Sequence, residues 1–436
     1  MKNPVKRLTV TTALLAVMAL GLSGCQTPPY IPPTQYDPTS IGSAPQSIEL
    51  PSATAEGPTE EDRIKEAARL TAGYDYAAAT KTLSGLDSEA ATAAKAKIAA
   101  ARSKAVVWKD NSKIPHLFVH SLIVDPKRAF DGDDREQGYA DYMVTLAEFK
   151  KMITELHKRD FVLVSPEDIA GLDASGKMKY RDIHLPKGKT PLVLSEDDVS
   201  YYEYMDGDGF ATKLMIDADG KVKNEYRDAE GNKHIGAYDM PPVIDEFVAQ
   251  HPDFSYRGAK GILALTGYNG VLGYRTSKSE YADSKTLDKD IAAATEVATA
   301  LKKDGWVFAS HAWGHINMTT SSVKRIKNDM ELWDAEVRPI LGDTEHFIYP
   351  FGADISGVPK YSGEKYTMLK NDGFSFFYGV DGTTPYWMQQ GPGYLRQARI
   401  NIDGLQFEKE KRGDRPVLKY FFDVKKVADP KRPTAK

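Results

Sequence analysis

From Trp108 onward the chain alternates short apolar runs with amphipathic stretches, and this rhythm restricts the fold more than any other feature. The strand-like runs are HLFVHSLIV (116–124), FVLVS (161–165), PLVLS (191–195), GILALTG (261–267), WVFAS (306–310), HFIYPFG (346–352), FSFFYGV (374–380) and RQARINI (396–402). Helical stretches lie between them. In 146–156, Leu146, Phe149, Met152, Ile153 and Leu156 share one face, and Thr145 with Glu148 has the spacing of a capping box. Residues 287–303 and 321–341 are expected to be helical as well. Strand and helix repeated this often imply a parallel α/β sheet, and seven or eight repeats over some 300 residues imply a barrel rather than an open sheet. No glycine-rich phosphate loop follows the first strand, which weighs against the open alternative.

Residues 203–240 break the rhythm. DADGK (217–221) and DAEGN (228–232) flank VKNEY, which predicts hairpins inserted into a loop rather than an Asp-rich calcium loop. Residues 61–107, before the barrel, are alanine-rich, with Gly73 and Gly85 as turn points, and predict a small region of two or three short helices.

The first residues have a different character. Lys2, Lys6 and Arg7 precede LTVTTALLAVMALGL, an apolar run too short for a confident membrane span, which ends in LSGC at Cys25. This resembles a bacterial lipoprotein signal, implying that residues 1–25 are a leader and that acyl chains on Cys25 hold the protein to a membrane, facing the extracytoplasmic space of the cell envelope. The proline-rich stretch 26–60 predicts an extended tether. Cys25 is the only cysteine, so no intramolecular disulfide can form and any metal site must use nitrogen and oxygen ligands. Hydrophobic residues at 41%, charged residues at 27% and a net charge of -4 suit a globular protein with no global attraction to nucleic acid.

Chemistry is expected at the carboxyl ends of the strands. There the chain places Glu196, Asp197 and Asp198 after one strand, His311 and His315 in SHAWGH after another, and Pro350, Phe351 and Gly352 after a third. If residues 311–315 are helical, both imidazoles project from one face. Each element has a plainer reading, as a capped helix start or a solvated loop. Together, two histidines and a carboxylate would leave open positions on a cation such as zinc. On a strand, adjacent Asp197 and Asp198 point to opposite sides, so one can ligate while the other serves as base.

An Asp pair after a strand, then SH with a second His four residues on, then an aromatic-Pro-aromatic-Gly turn, resembles the polysaccharide deacetylases of the NodB-homology group. The resemblance implies a distorted (β/α)7 TIM-like barrel over about 108–425, with Asp197 as general base and Asp198, His311 and His315 as ligands of a divalent metal, zinc first, with cobalt or nickel as alternatives. The family's hydroxyl is replaced here by Ala312, and its arginine before the Pro is absent from IYPFG. The Phe351 amide would match the oxyanion donor. No histidine follows His346, but the first strand, IPHLFVHSLIVD, resembles the permuted branch typified by poly-N-acetylglucosamine deacetylases. That likeness implies His120 as general acid and Leu117 near the acetyl methyl, with His116 on the same face but deeper. Arg399 could take over the missing arginine's part in orienting Asp197. Tyr201, Tyr202, Tyr268, Tyr274 and Trp313 are candidates to stack on sugar rings. The implied activity is removal of N-acetyl groups from a cell-envelope polysaccharide. The alternatives are a non-catalytic carbohydrate-binding lipoprotein and a metal-free glycosidase using Glu196 or Asp197.

Overall fold

The computed structural model describes residues 57–436. The leader, Cys25 and the tether up to residue 56 lie outside the described residues. Eight parallel strands follow from the apolar runs: β1 (His116–His120), β2 (Phe161–Leu163), β3 (Thr190–Asp197), β4 (Ile262–Leu265), β5 (Val307–Ser310), β6 (His346–Ile348), β7 (Phe376–Val380) and β8 (Leu395–Asn401). Seven of them close a ring in the order β4-β5-β6-β7-β8-β1-β3, and β3 returns to β4. The fold is thus a TIM-like barrel. Its distortion is at β3, whose first residues pair with β2 (Phe161 opposite Thr190) while Ser195 and Glu196 pair with β4.

Side chains alternate across the strands, as strand geometry requires. Val193, Ile262, Ala264, Ala309, Ile348, Phe376, Tyr378 and Leu395 fill the interior. Leu117, Val119, Leu194, Leu263, Leu265, Phe347 and Phe377 face the surrounding helices. Helix α4 (Leu146–Lys158) lays Phe149, Met152, Ile153 and Leu156 against that outer face, and the Thr145–Glu148 capping box is formed. Glu148 is fully buried because Arg432 also donates to it, at 2.9 Å.

Three helices precede the barrel, α1 (Glu60–Ala72), α2 (Tyr76–Thr82) and α3 (Glu89–Ser103), around a small core of Ala67, Ala79, Leu83 and Ile98. Between β3 and β4, strands Ala211–Ile216, Val222–Arg227 and Lys233–Gly236 form an antiparallel sheet. Its turns are DADGK (217–221) and DAEGN (228–232). Asp217 Oδ1 accepts from the amides of Asp219 and Lys221, both at 2.9 Å, so that carboxylate is spent on closing its own turn. Helix α5 (Met240–Gln250) then leads back to the barrel. Among the described residues, no helix is long and apolar enough to cross a membrane.

Candidate active site

β1 and β3 run in register, with His120 opposite Asp197 at their carboxyl ends. Asp197 is 3% exposed and is clasped by the fully buried Arg399 of β8, from Nη1 to Oδ1 at 2.6 Å and Nη2 to Oδ2 at 2.9 Å. The guanidinium lies over the Phe118 ring at 4.0 Å. Burial alone would raise the Asp197 pKa, but the charge of Arg399, and then of His311, holds the carboxyl below its usual range.

The next residue leaves the strand in a left-handed conformation, with Asp198 at φ +62°. This corrects the expectation from strand alternation. The turn swings Asp198 back, so that His311 Nε2 is 4.0 Å from Asp197 Oδ2 and also 4.0 Å from Asp198 Oδ1. His315 Nε2 is 4.0 Å from Asp198 Oδ2. Glu196, in contrast, points out of the barrel. It is buried near Asp239, and burial, then that neighbour's charge, pushes its pKa well up. A carboxyl facing the helices cannot reach substrate, which removes it from a glycosidase pair.

His311 and His315 lie on a turn, not a helix. Ala312 at φ +56° and His315 at φ +48° turn both imidazoles toward Asp198. His311 Nδ1 donates to the Ile348 carbonyl at 2.8 Å, which leaves Nε2 as the lone-pair nitrogen on the Asp198 side. Burial lowers the pKa of His311 to about 4, favouring the neutral form a cation needs. One donor atom each from Asp198, His311 and His315 lies within 4.8 Å of the others. At 4.0 Å their contacts are not hydrogen bonds. Three donors facing one another across such a gap fit a divalent cation with nitrogen and oxygen ligands.

The supports of this set escaped the sequence reading. Tyr202 Oη donates to Asp198 Oδ1 at 2.6 Å, fixing the carboxylate. Asp329, on helix α6 (Val323–Glu336, the fourteen residues after the N-cap Ser322), accepts from the amides of Trp313 at 2.6 Å and Gly314 at 2.9 Å. Asp329 thus ties down the turn that carries Ala312. Glu336, two turns along, accepts from Trp313 Nε1 at 2.9 Å. A signal did exist: both acids sit on the buried stripe with Ile326, Met330 and Trp333, where an unpaired carboxylate is costly.

His120 Nδ1 lies 3.1 Å from the Tyr142 carbonyl, which makes Nδ1 the donor and leaves Nε2 to exchange a proton. His116 is buried deeper, between Gln397 Oε1 at 3.1 Å and Ser195 Oγ at 2.9 Å. Phe351 is 70% exposed, at φ +58°, with its ring edge-on to His315 at 4.4 Å. Leu117 faces the outer helices and is fully buried, so it does not line the site. Tyr201, Tyr202 and Tyr274 are buried as well, which takes them from the sugar-stacking candidates. Tyr268 and Trp313 stay partly open, and Tyr204, overlooked in the sequence, presents an exposed ring at the end of a Tyr268–Tyr202–Tyr204 stack.

The family model described as polysaccharide deacetylase matches residues 279–372, which contain His311, His315 and Phe351. No curated protein matches the chain. Among solved structures, the Streptococcus pyogenes deacetylase PplD in complex with acetate is similar at 15% identity, covering 68% of this chain and 93% of that one, with a TM-score of 0.36.

Proposed function

We propose, from the premise that this chain carries a polysaccharide deacetylase domain, that it is a divalent-metal-dependent hydrolase removing N-acetyl groups from a cell-envelope polysaccharide. The observation that carries this reading is the gap bounded by Asp198, His311 and His315, directly beside an Asp197 kept ionised by Arg399. A cation in that gap, zinc in the first instance, supplies Lewis acidity and lowers the pKa of water toward ~7. Asp197 accepts the proton as water adds to the acetyl carbonyl. The Phe351 amide donates to the developing oxyanion. His120 gives a proton to the departing amine, so that the C–N bond breaks to acetate and a free amino sugar. Tyr202 and Asp329 hold the ligands in place through the carboxylate and the turn.

The absent arginine of IYPFG is the main reason for a non-catalytic, carbohydrate-binding reading. Arg399 reaches Asp197 from β8 instead, which takes that reason away. A place in the envelope, with Cys25 lipidated, belongs to the same proposal. Cys25→Ser should move the protein from the membrane to the soluble fraction, and retention of the variant on membranes would contradict the anchor.

The decisive test pairs metal content with acetate release from N-acetylglucosamine oligomers. Asp198→Ala and His311→Ala should lose both the metal of this site and activity, whereas Asp197→Asn should keep the metal and lose activity. Full acetate release by Asp198→Ala would end the proposal.

A further inference from the structure

A second group of metal-ligating side chains lies at the other end of the barrel. His157 is in the last turn of α4, four residues before β2 begins, and His251 and Asp253 follow α5 ahead of β4. These positions are at the amino ends of the strands, the face that in such barrels serves stability rather than catalysis. One donor atom from each of the three lies within 4.8 Å of the others.

The arrangement has the features of a ligand set. His157 Nε2 is 3.0 and 3.1 Å from the two Asp253 oxygens. The His251 ring packs on the His157 ring at 4.6 Å and on Phe247 at 4.6 Å. Among the described residues, no side-chain hydrogen bond engages the His251 imidazole, so it brings an uncommitted nitrogen. Phe247 and Phe254 stand edge-on to His157. Lys189 is the competing cation, 3.3 Å from Asp253 and 3.1 Å from Asp160. With two carboxylates around one ammonium, Lys189 can remain on Asp160 when Asp253 turns to an ion.

We propose that His157, His251 and Asp253 form a second, structural site for a divalent cation of the zinc type, binding through two imidazoles and one carboxylate. The site joins three parts of the chain. Asp253's carbonyl accepts from Tyr74 Oη at 2.8 Å, and the nearby Arg257 amide donates to the Gly73 carbonyl at 2.7 Å, so the loop that carries two of the ligands also holds the end of α1. An ion here would clamp α4, the loop after α5 and the helical region at one point.

The test is zinc stoichiometry on the purified chain after removal of metal and readdition of zinc, with no reference to activity. Asp198→Ala should keep one equivalent of zinc, and Asp198→Ala/His251→Gln should keep none. In the Asp198→Ala background zinc should raise the melting temperature, and His251→Gln should abolish that rise. Lys189→Met should tighten the zinc binding of Asp198→Ala severalfold, since it removes the competing charge; a simple His157–Asp253 contact would not respond in that way. Circular dichroism checks folding, with His157→Asn as an independent variant. Absence of zinc from Asp198→Ala, or its persistence in the double variant, would overturn the proposal. If the wild type binds a single equivalent that His251→Gln removes and Asp198→Ala does not, this site stands and the catalytic assignment fails.

Discussion

Arg399 grips Asp197 with both Nη atoms, and neither side chain is open to bulk water. The two residues are 202 positions apart, yet the ring order β8-β1-β3 leaves one strand between them. The consequence is a carboxylate that stays ionised in a place where burial would otherwise protonate it.

Replacing this arginine tests that consequence. Because the folded pKa of Asp197 is depressed below its ordinary 3.8, the pair's stabilisation is present above that value and is lost as pH falls through the folded value. Arg399→Met removes the largest charge opposing burial, so the Asp197 pKa rises. The acid limb of kcat/KM should move to higher pH, with acetate release at pH 6 down roughly 10²-fold or more. Breaking a buried pair should also cost about 3–5 kcal/mol in denaturant unfolding. An unmoved acid limb would show that Arg399 does not set the charge of Asp197.

Asp329 touches neither cation nor substrate in this account, but it holds the turn between the two histidines. Asp329→Asn gives up a charged acceptor for the Trp313 and Gly314 amides, and should weaken zinc binding at the His311–His315 site about 10–100-fold. Competition with a chelator measures it. Unchanged zinc affinity would reduce Asp329 to a packing role.

Tyr202 fixes the carboxylate from the other side. Tyr202→Phe keeps the ring in its stack and removes the hydroxyl that donates to Asp198 and also meets Thr266 Oγ1 at 2.7 Å, so zinc affinity should fall about tenfold with the fold intact. Loss of stability without loss of affinity would count against an orienting role.

Gly267 is where the loop after β4 meets the histidine turn. A Cβ there would collide with Trp313 Cδ1, while the Gly267 amide donates to the Trp313 carbonyl at 2.8 Å. Gly267→Ala should therefore destabilise the protein by about 1–3 kcal/mol and lower acetate release. Trp313→Ala in the same chain should recover much of the stability. If the double variant is merely the sum of the singles, the clash is not the cause.

Much of this architecture is legible in the chain itself. The apolar runs mark all eight parallel strands, although all but β3 and β8 are shorter than their runs because the ends turn into loops. Thr145 and Glu148 cap α4, and the turns at 217–221 and 228–232 close the inserted hairpins. The site is less legible. The spacing of His311 and His315 suggests a helix, but Ala312 and His315 take left-handed torsions that no local pattern announces. Tyr204 and Asp329 go unnoticed because exposure in a loop, and direction within a buried stripe, depend on what packs opposite.

The order of residues along the chain determined the strand and helix periods, the caps, the tight turns, and which side chains are able to hold a cation or move a proton. Those properties depend on each residue and its near neighbours, through backbone torsions and alternating burial. Closure of the ring, and the three left-handed residues at Asp198, Ala312 and His315, decided which groups meet. They bring His120 beside Asp197, Arg399 onto it, and Asp198 back to the imidazoles, because convergence is set by long-range packing that selects one relative position for distant segments.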